Sequence, residues 1–317
     1  MNTELPINCD GGPLFDYGPK VFESYSSGAN GRFLASRCTY GYDEQGWLEN
    51  QNCEYFEDDG AFISSFSASY TYGTKGRIDR LYSETFRAAP NSTMSERTDY
   101  MYDENERLFQ KTTERLDTQW EPWSRTNYVY DSEGRLEQRT NESFENNQWV
   151  PEPNGTNILF MYDDRDRVTL EAYLKFEDGE WKVTISSWGS EYSYDDEDRL
   201  KDGCNLVSAL EEDAECRYSF FYEYDSFNRL EEKRAQRADY SSEWDFSTYN
   251  FSIDRLIISM SEEMNTPSGV ETNDKGEQRI FYTSEGSSHT FEQEPGPFWW
   301  ILSSYGRGDI RNPQYCL

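Results

Sequence analysis

Histidine is almost missing from these 317 residues: there is one, His289. A Ser-His-Asp relay or a histidine metal cluster therefore lacks its parts. No Cys-x-x-Cys occurs, so zinc and dithiol redox motifs are unsupported. No nucleophile elbow, P-loop or dinucleotide fingerprint is present. Paired carboxylates do occur, as Asp163/Asp164/Asp166 and Asp195/Asp196/Asp198, but without an EF-hand loop around them. No cofactor is expected, calcium being the one to consider. No run of 18 apolar residues exists, so no membrane span is expected. Basic charge is short as well, 30 Lys and Arg against 61 Asp and Glu, a net charge of -31. That disfavours nucleic acid, whose binders need a basic surface to displace counterions. Met1 to Asp10 has neither a basic nor an apolar leader region, so any signal peptide is expected to have been removed.

Aliphatic residues are also scarce, and the hydrophobic fraction is only 35%. Aromatics replace them: 24 Tyr, 19 Phe and 9 Trp. Disordered chains are poor in aromatics, so this chain is expected to fold. Each buried Tyr brings a large apolar area and a polar tip.

The aromatics recur. Tyr128-Val-Tyr-Asp-Ser-Glu-Gly-Arg-Leu136 is one copy of a pattern, aromatic-x-Tyr-Asp-x-x-Gly-Arg-Leu. Its second aromatic returns as Tyr42, Tyr72, Tyr102, Tyr130, Tyr162, Tyr194, Tyr224 and Phe251, with gaps of 30, 30, 28, 32, 32, 30 and 27 residues. A fixed period near 30 marks a repeat architecture.

Each repeat carries two turn signals. One is Asp-x-x-Gly; the other is an acidic or Asn/Gly turn flanked by large apolar residues, as in Phe144 to Trp149 and Phe176 to Trp181. Segments of roughly 8 to 11 residues lie between them, which reads as paired antiparallel strands. About 16 strands are expected, in an all-β antiparallel strand-turn array coiled by its own twist. The residue before each Arg is Gly46, Gly76, Glu106, Gly134, Asp166, Asp198, Asn228 or Asp254; all but Glu106 tolerate a left-handed backbone. A type I turn closed by such a residue places Tyr130 opposite Leu136. It also sets Asp131 against Arg135, and likewise Asp103 and Arg107, Asp163 and Arg167, Asp195 and Arg199, and Asp225 and Arg229. These pairs near the turn are expected to be wet and to contribute little.

Six cysteines, at 9, 38, 53, 204, 216 and 316, form nested local pairs. Cys38–Cys53 and Cys204–Cys216 read as hairpin disulfides, and Cys9 and Cys316 as a pair within or between chains. The compartment is therefore read as oxidising and extracellular. One conflict stands: Tyr42 opposite Leu48 puts Cys38 opposite Asn52, one place from Cys53. The hydrophobic register has eight repeats behind it, and a further bulge in the first repeat would reconcile the two.

The repeat array is placed at 37–257. Residues 1–36 match no repeat and read as an N-terminal cap or docking segment. Residues 258–317 read as one more strand and an aromatic tail, with Phe298, Trp299, Trp300, Ile301 and Leu302 as a cap or a connector to a second subunit.

The motif resembles the YD repeat of the Rhs and teneurin family, over about residues 38 to 256. The resemblance implies strand-turn-strand units laid side by side in a spiralling sheet, and an extracellular habit. The chain departs from the large family members in being far shorter than a closed shell and in lacking the autoproteolytic segment of the toxin shells. Non-enzymatic structural or adhesive work is expected, with self-association through free sheet edges. A carbohydrate-binding module using Tyr and Trp faces is the alternative, with a glycan or cell-surface ligand as partner. A fragment of an Rhs-type shell is a second alternative.

Overall fold

The computed structural model describes residues 19–28, 31–44, 48–73, 77–89, 91–152, 157–183, 189–207, 215–224, 226, 230–237, 243–251, 255–266 and 269–282. Cys9, Cys316, Asp225, Arg229, His289 and Phe298 to Leu302 lie outside them. The described chain is all β. Its strands are β1 (Pro19–Gly28), β2 (Gly31–Tyr42), β3 (Leu48–Phe56), β4 (Phe62–Tyr72), β5 (Ile78–Arg87), β6 (Ser92–Tyr102) and β7 (Leu108–Leu116). They continue as β8 (Trp120–Tyr130), β9 (Leu136–Glu145), β10 (Gln148–Pro151), β11 (Ile158–Tyr162), β12 (Val168–Tyr173), β13 (Lys175–Glu177) and β14 (Glu180–Lys182). The last are β15 (Gly189–Tyr194), β16 (Leu200–Val207), β17 (Glu215–Tyr224), β18 (Leu230–Arg237), β19 (Glu243–Phe251), β20 (Arg255–Thr266) and β21 (Gly269–Tyr282).

Neighbours in sequence are neighbours in the sheet, and every pairing is antiparallel. β10 and β11 both pair with β9 and together fill one position. β13 and β14 form a separate two-stranded extension of the β12–β15 hairpin. The main sheet thus has 18 antiparallel positions. The array starts at β1, within the segment expected to be a cap, and ends with β21, beyond the expected boundary at 257.

Two free edges were expected, and the described backbone overturns that. β21 pairs with β1, from Pro19 opposite Tyr282 to Ser26 opposite Gly276. The hydrogen-bond ladder returns to its start, so the strands form a ring of about 86 Å perimeter at the usual strand spacing. Closure satisfies the two rows of N–H and C=O groups that an open array would expose. An even number of strands in a meander lets first and last run antiparallel, which this pairing uses. The motif could not announce it, because β1 and β21 both lie outside the recurring pattern.

The expected turn is present. Gly134 N donates to Asp131 O at 3.0 Å, and Asp131 N donates to Arg135 O at 2.9 Å. Gly134, Asp166 and Asp198 have φ of 87°, 63° and 63°, the left-handed region expected of them, and Glu106, the residue type least suited to it, adopts it too with φ of 68°. Tyr130 pairs with Leu136, but Val129 pairs with Gln138, so Glu137 is an extra residue. The same shift follows Tyr42, Tyr72, Tyr102, Tyr162, Tyr194 and Tyr224. In the first hairpin it brings Cys38 directly opposite Cys53 while Tyr42 stays opposite Leu48. The bulge that reconciles the cysteines with the tyrosines is therefore a property of the repeat. It also adds local twist, which curves the sheet toward closure.

Strand alternation gives the sheet two unlike faces. One carries the first aromatic and the Leu of each motif. Tyr40, Tyr100, Tyr128, Phe160, Tyr192 and Tyr222 are buried there, with Leu48, Leu108, Leu136 and Val168. Tyr100, Leu108, Tyr128, Leu136, Ile158, Phe160, Val168 and Tyr192 form one continuous cluster across successive repeats. The opposite face carries Arg80–Asp99, Arg97–Glu114 and Arg125–Glu142 ion pairs between neighbouring strands.

Candidate functional site

The recurring polar residues assemble into a ladder along the rim of Asp-x-x-Gly turns. Take the repeat at Tyr130. Asp131 Oδ1 accepts the Arg135 backbone N–H at 2.8 Å, and its Oδ2 accepts Arg135 Nε at 2.6 Å. This fixes the turn and orients the guanidinium. The guanidinium then lies over the ring of the next repeat's tyrosine, Tyr162, at 4.8 Å from its centre. Tyr162 Oη in turn donates to the Leu136 carbonyl at 2.6 Å. Arg135 Nη1 also meets Asp166, the left-handed residue of the next turn, at 2.7 Å.

This unit repeats around the rim. Arg77, Arg107, Arg167 and Arg199 lie over Tyr102, Tyr130, Tyr194 and Tyr224 at 5.3, 4.5, 4.6 and 4.8 Å. Tyr72, Tyr102, Tyr130, Tyr194 and Tyr224 donate to the carbonyls of Leu48, Ile78, Leu108, Val168 and Leu200 at 2.7, 3.0, 2.8, 2.8 and 2.8 Å. Asp103, Asp163 and Asp195 hold Arg107, Arg167 and Arg199 as Asp131 holds Arg135. Arg77 and Arg167 reach Glu106 and Asp198 in the following turn. Arg107 reaches no such acid, because Gly134 stands there; a Cβ on Gly134 would lie 3.4 Å from Arg107 Nη1.

Electrostatics follow from these contacts. Partial burial alone would raise the carboxyls of Asp103, Asp131 and Asp163, but hydrogen bonds from the paired arginine and the turn N–H groups outweigh it and hold them below their ordinary value. The hydrogen bond that Arg135 donates to Asp131 raises the guanidinium further, and the one to Asp166 adds to it. Burial pushes the Tyr162 phenol well above its usual value. These arginines are partly covered by the ring of the next repeat, where the sequence suggested wet pairs.

Among the described residues, no group of three His, Cys, Asp or Glu side chains comes together to hold a metal. The acidic turn positions are engaged by arginine and by backbone N–H groups. Cys38–Cys53 and Cys204–Cys216 are disulfide-bonded. Among the described residues, no helix is long and apolar enough to cross a membrane.

No family model matches the sequence, and no curated protein does. Solved structures give distant likenesses. The chain is 12% identical to TcdB2-TccC3 without its hypervariable C-terminal region, with a TM-score of 0.25, over 73% of this chain and 17% of that one. TcdB2-TccC3-Cdc42 gives 12% identity and a TM-score of 0.26 over the same shares. A porin-like protein from Bacteroides uniformis gives 9% identity and a TM-score of 0.34, over 86% of this chain and 99% of that one. The chain thus spans about a sixth of the TcdB2-TccC3 chain.

The other rim differs in kind. Two of its turns are tight: Asn146 and Asn147 have φ of 51° and 62°, and Asp178 and Gly179 have 56° and 85°. Both central residues are left-handed, the hairpin turn whose twist matches the strands. The flanking residues pair as the sequence suggested, Phe56 with Phe62, Leu116 with Trp120, Phe144 with Trp149 and Phe176 with Trp181. Beside this rim, on the ion-pair face, aromatic and arginine side chains alternate. Phe62 stacks on Phe86 at 6.1 Å, and Tyr82 meets Trp120 edge-on at 6.0 Å. Arg97 lies over Trp120 at 4.7 Å and Arg125 over Trp149 at 4.8 Å. The sequence showed the turn aromatics but not their arginines, which reach over from the next strand but one.

Proposed function

We propose that the protein is a non-enzymatic extracellular scaffold, a small closed ring of YD repeats that presents its surface for adhesion. One observation carries this reading. Asp103, Asp131, Asp163 and Asp195, with their arginines and the tyrosines of the following repeats, are all engaged in joining one repeat to the next. Among the described repeats the motif's Asp, Arg and Tyr thus do the work of architecture. The two disulfides fit an oxidising compartment.

Charges on both faces argue against a lipid-embedded wall. One face carries Arg125–Glu142 near mid-strand and Arg80–Asp99 nearer the strand ends; the other carries Lys111 mid-strand and the Arg115–Glu96 pair, with Arg115 near the end of β7. A membrane barrel needs one face with an apolar band about 25 Å tall. Closure also removes the strand edges through which head-to-tail filaments would grow, so the ring reads as a discrete particle. Negative-stain microscopy of material purified from the extracellular fraction tests this. Single closed particles with both hairpin disulfides intact are expected. Filaments, or free thiols at all four positions in a cytoplasmic protein, would sink the reading.

A further inference from the structure

We infer that Cys9 and Cys316 form a disulfide within one chain, a covalent clasp over the seam where the ring closes. Both cysteines lie outside the described residues, so the inference rests on the geometry of their anchors. Cys9 precedes Pro19 by 10 residues, and Cys316 follows Tyr282 by 34. Pro19 and Tyr282 pair across β1 and β21, which sets their Cα atoms about 5 Å apart. β1 starts at the Asp-x-x-Gly rim, since Val21 pairs with Thr39 near Tyr42 and Gly28 pairs with Gly31 at the far end. β21 runs antiparallel to it and ends at that same rim. The two segments that carry the cysteines therefore leave the ring side by side. Extended chain covers about 3.3 Å per residue, so both lengths far exceed the gap between the anchors.

Other partners are used up. Cys38–Cys53 and Cys204–Cys216 are closed, and no cysteine among the described residues is free. Cys38 and Cys53 are 6% and 2% exposed, which shields their bond from an incoming thiolate. One pair is left, to be made within a chain or between two. Effective concentration decides. A linker of about 44 residues on adjacent anchors holds one thiol near the other at a concentration on the order of millimolar. A second copy is present only at its bulk concentration, and copies of charge -31 repel one another. At micromolar protein the bond within the chain is favoured by about a thousandfold. It closes by thiol–disulfide exchange with a small disulfide such as oxidised glutathione. One cysteine thiolate attacks that disulfide and expels a thiolate; the other then attacks the mixed disulfide and expels the second. The chain gives up two electrons and two protons, and the oxidant takes them. Neighbouring strands elsewhere in the meander are joined by short connections and re-pair readily when they part. β1 and β21 have no such connection, and parting them uncovers two edges at once. The clasp supplies the missing link. For its oxidant the inference rests on the oxidising compartment proposed above.

Oxidation of the purified full chain in a glutathione redox buffer, followed by non-reducing peptide mapping, tests the bond without reference to the compartment. A peptide holding Cys9 linked to one holding Cys316 is expected in the single-chain band. Its yield should stay constant across a hundredfold range of micromolar protein concentration. A link found only in a two-chain band, a yield that climbs with concentration, either cysteine paired elsewhere, or both thiols free while the hairpin bonds are intact would each overturn the inference. Hydrogen exchange tests the clasp. In Cys9→Ser/Cys316→Ser the amides of β1 and β21 should exchange severalfold faster than in the oxidised parent, with those of β6 to β9 unchanged. Should that variant fail to fold, the parent is compared before and after mild reduction, with Cys38–Cys53 and Cys204–Cys216 confirmed intact. Equal exchange at the seam would show that the bond clasps nothing. Either failure leaves the scaffold reading standing, since that reading calls only for the two hairpin disulfides.

Discussion

The hydroxyl of Tyr162 donates to the backbone carbonyl of Leu136 at 2.6 Å, reaching from one repeat into the one before it. The Arg135 guanidinium covers the same ring. Tyr162 is therefore held from both sides by its predecessor, and the two contacts add a side-chain link to the backbone ladder that joins the hairpins. Tyr162→Phe removes the hydrogen bond and keeps the ring, and should cost about 1 kcal/mol. Tyr162→Ala removes both and should cost about 3 kcal/mol or more. Chemical denaturation of the two variants checks the ordering; equal costs would show that the hydroxyl alone matters.

Arg135→Ala should lower stability by more than loss of an exposed pair alone would, because the pair with Asp131 is joined by the ring contact with Tyr162. Arg135→Lys should recover only part of this, because an ammonium cannot bridge Asp131, Asp166 and a ring face at once. A Lys variant as stable as the parent would mean that charge alone is at work.

Much of this rim was legible in the sequence. Tyr130 opposite Leu136, the Asx-type turn at Asp131 and the left-handed residue before Arg all follow from residue types at fixed offsets. The bulge did not, because its extra residue has no fixed identity: Glu49, Phe109, Glu137 and Thr169 stand there in different repeats. Only the clash between the cysteine and tyrosine registers hinted at it. The contacts between Arg135 and Tyr162 were hidden for another reason. They join residues of different hairpins, and a period fixes which residues are equivalent without saying which of them touch.

Acid should loosen the ring through its turn aspartates. Asp103, Asp131 and Asp163 have folded values below their ordinary 3.8, so the folded state binds protons less readily than the unfolded one. Their contribution is fully present above that value and is lost as the pH falls below it through the lower folded values. The Asp131→Asn/Asp163→Asn variant should be less stable at pH 7 and show a shallower fall in stability over that window. An unchanged slope would place the acid sensitivity elsewhere.

Reducing agent should lower the melting temperature without an aggregated phase at first. The Cys38–Cys53 and Cys204–Cys216 bonds close loops with sequence separations of 15 and 12. Loops of that size contribute about 2 to 3 kcal/mol each in the chain-entropy account. Cys38→Ser/Cys53→Ser should therefore be destabilised by about that amount at equilibrium. Loss of far less than 1 kcal/mol would show that the reduced chain already holds β2 against β3 when unfolded.

Deleting β1 should do more damage than its length suggests. β1 lies between β2 and β21, pairing with both. Without it 17 positions remain, and in an antiparallel meander an odd number leaves the two end strands running parallel. β2 and β21 then cannot pair as β1 and β21 do, and both edges stay open. Unpaired edges recruit other chains, so the variant lacking residues 1–28 should associate in light scattering, whereas the full chain should run as a single species. Removing β1 and β2 together, with Cys53→Ser, leaves an even number and should restore a discrete species despite the greater loss of chain. If the shorter truncation is the better behaved of the two, parity is not what closes the ring.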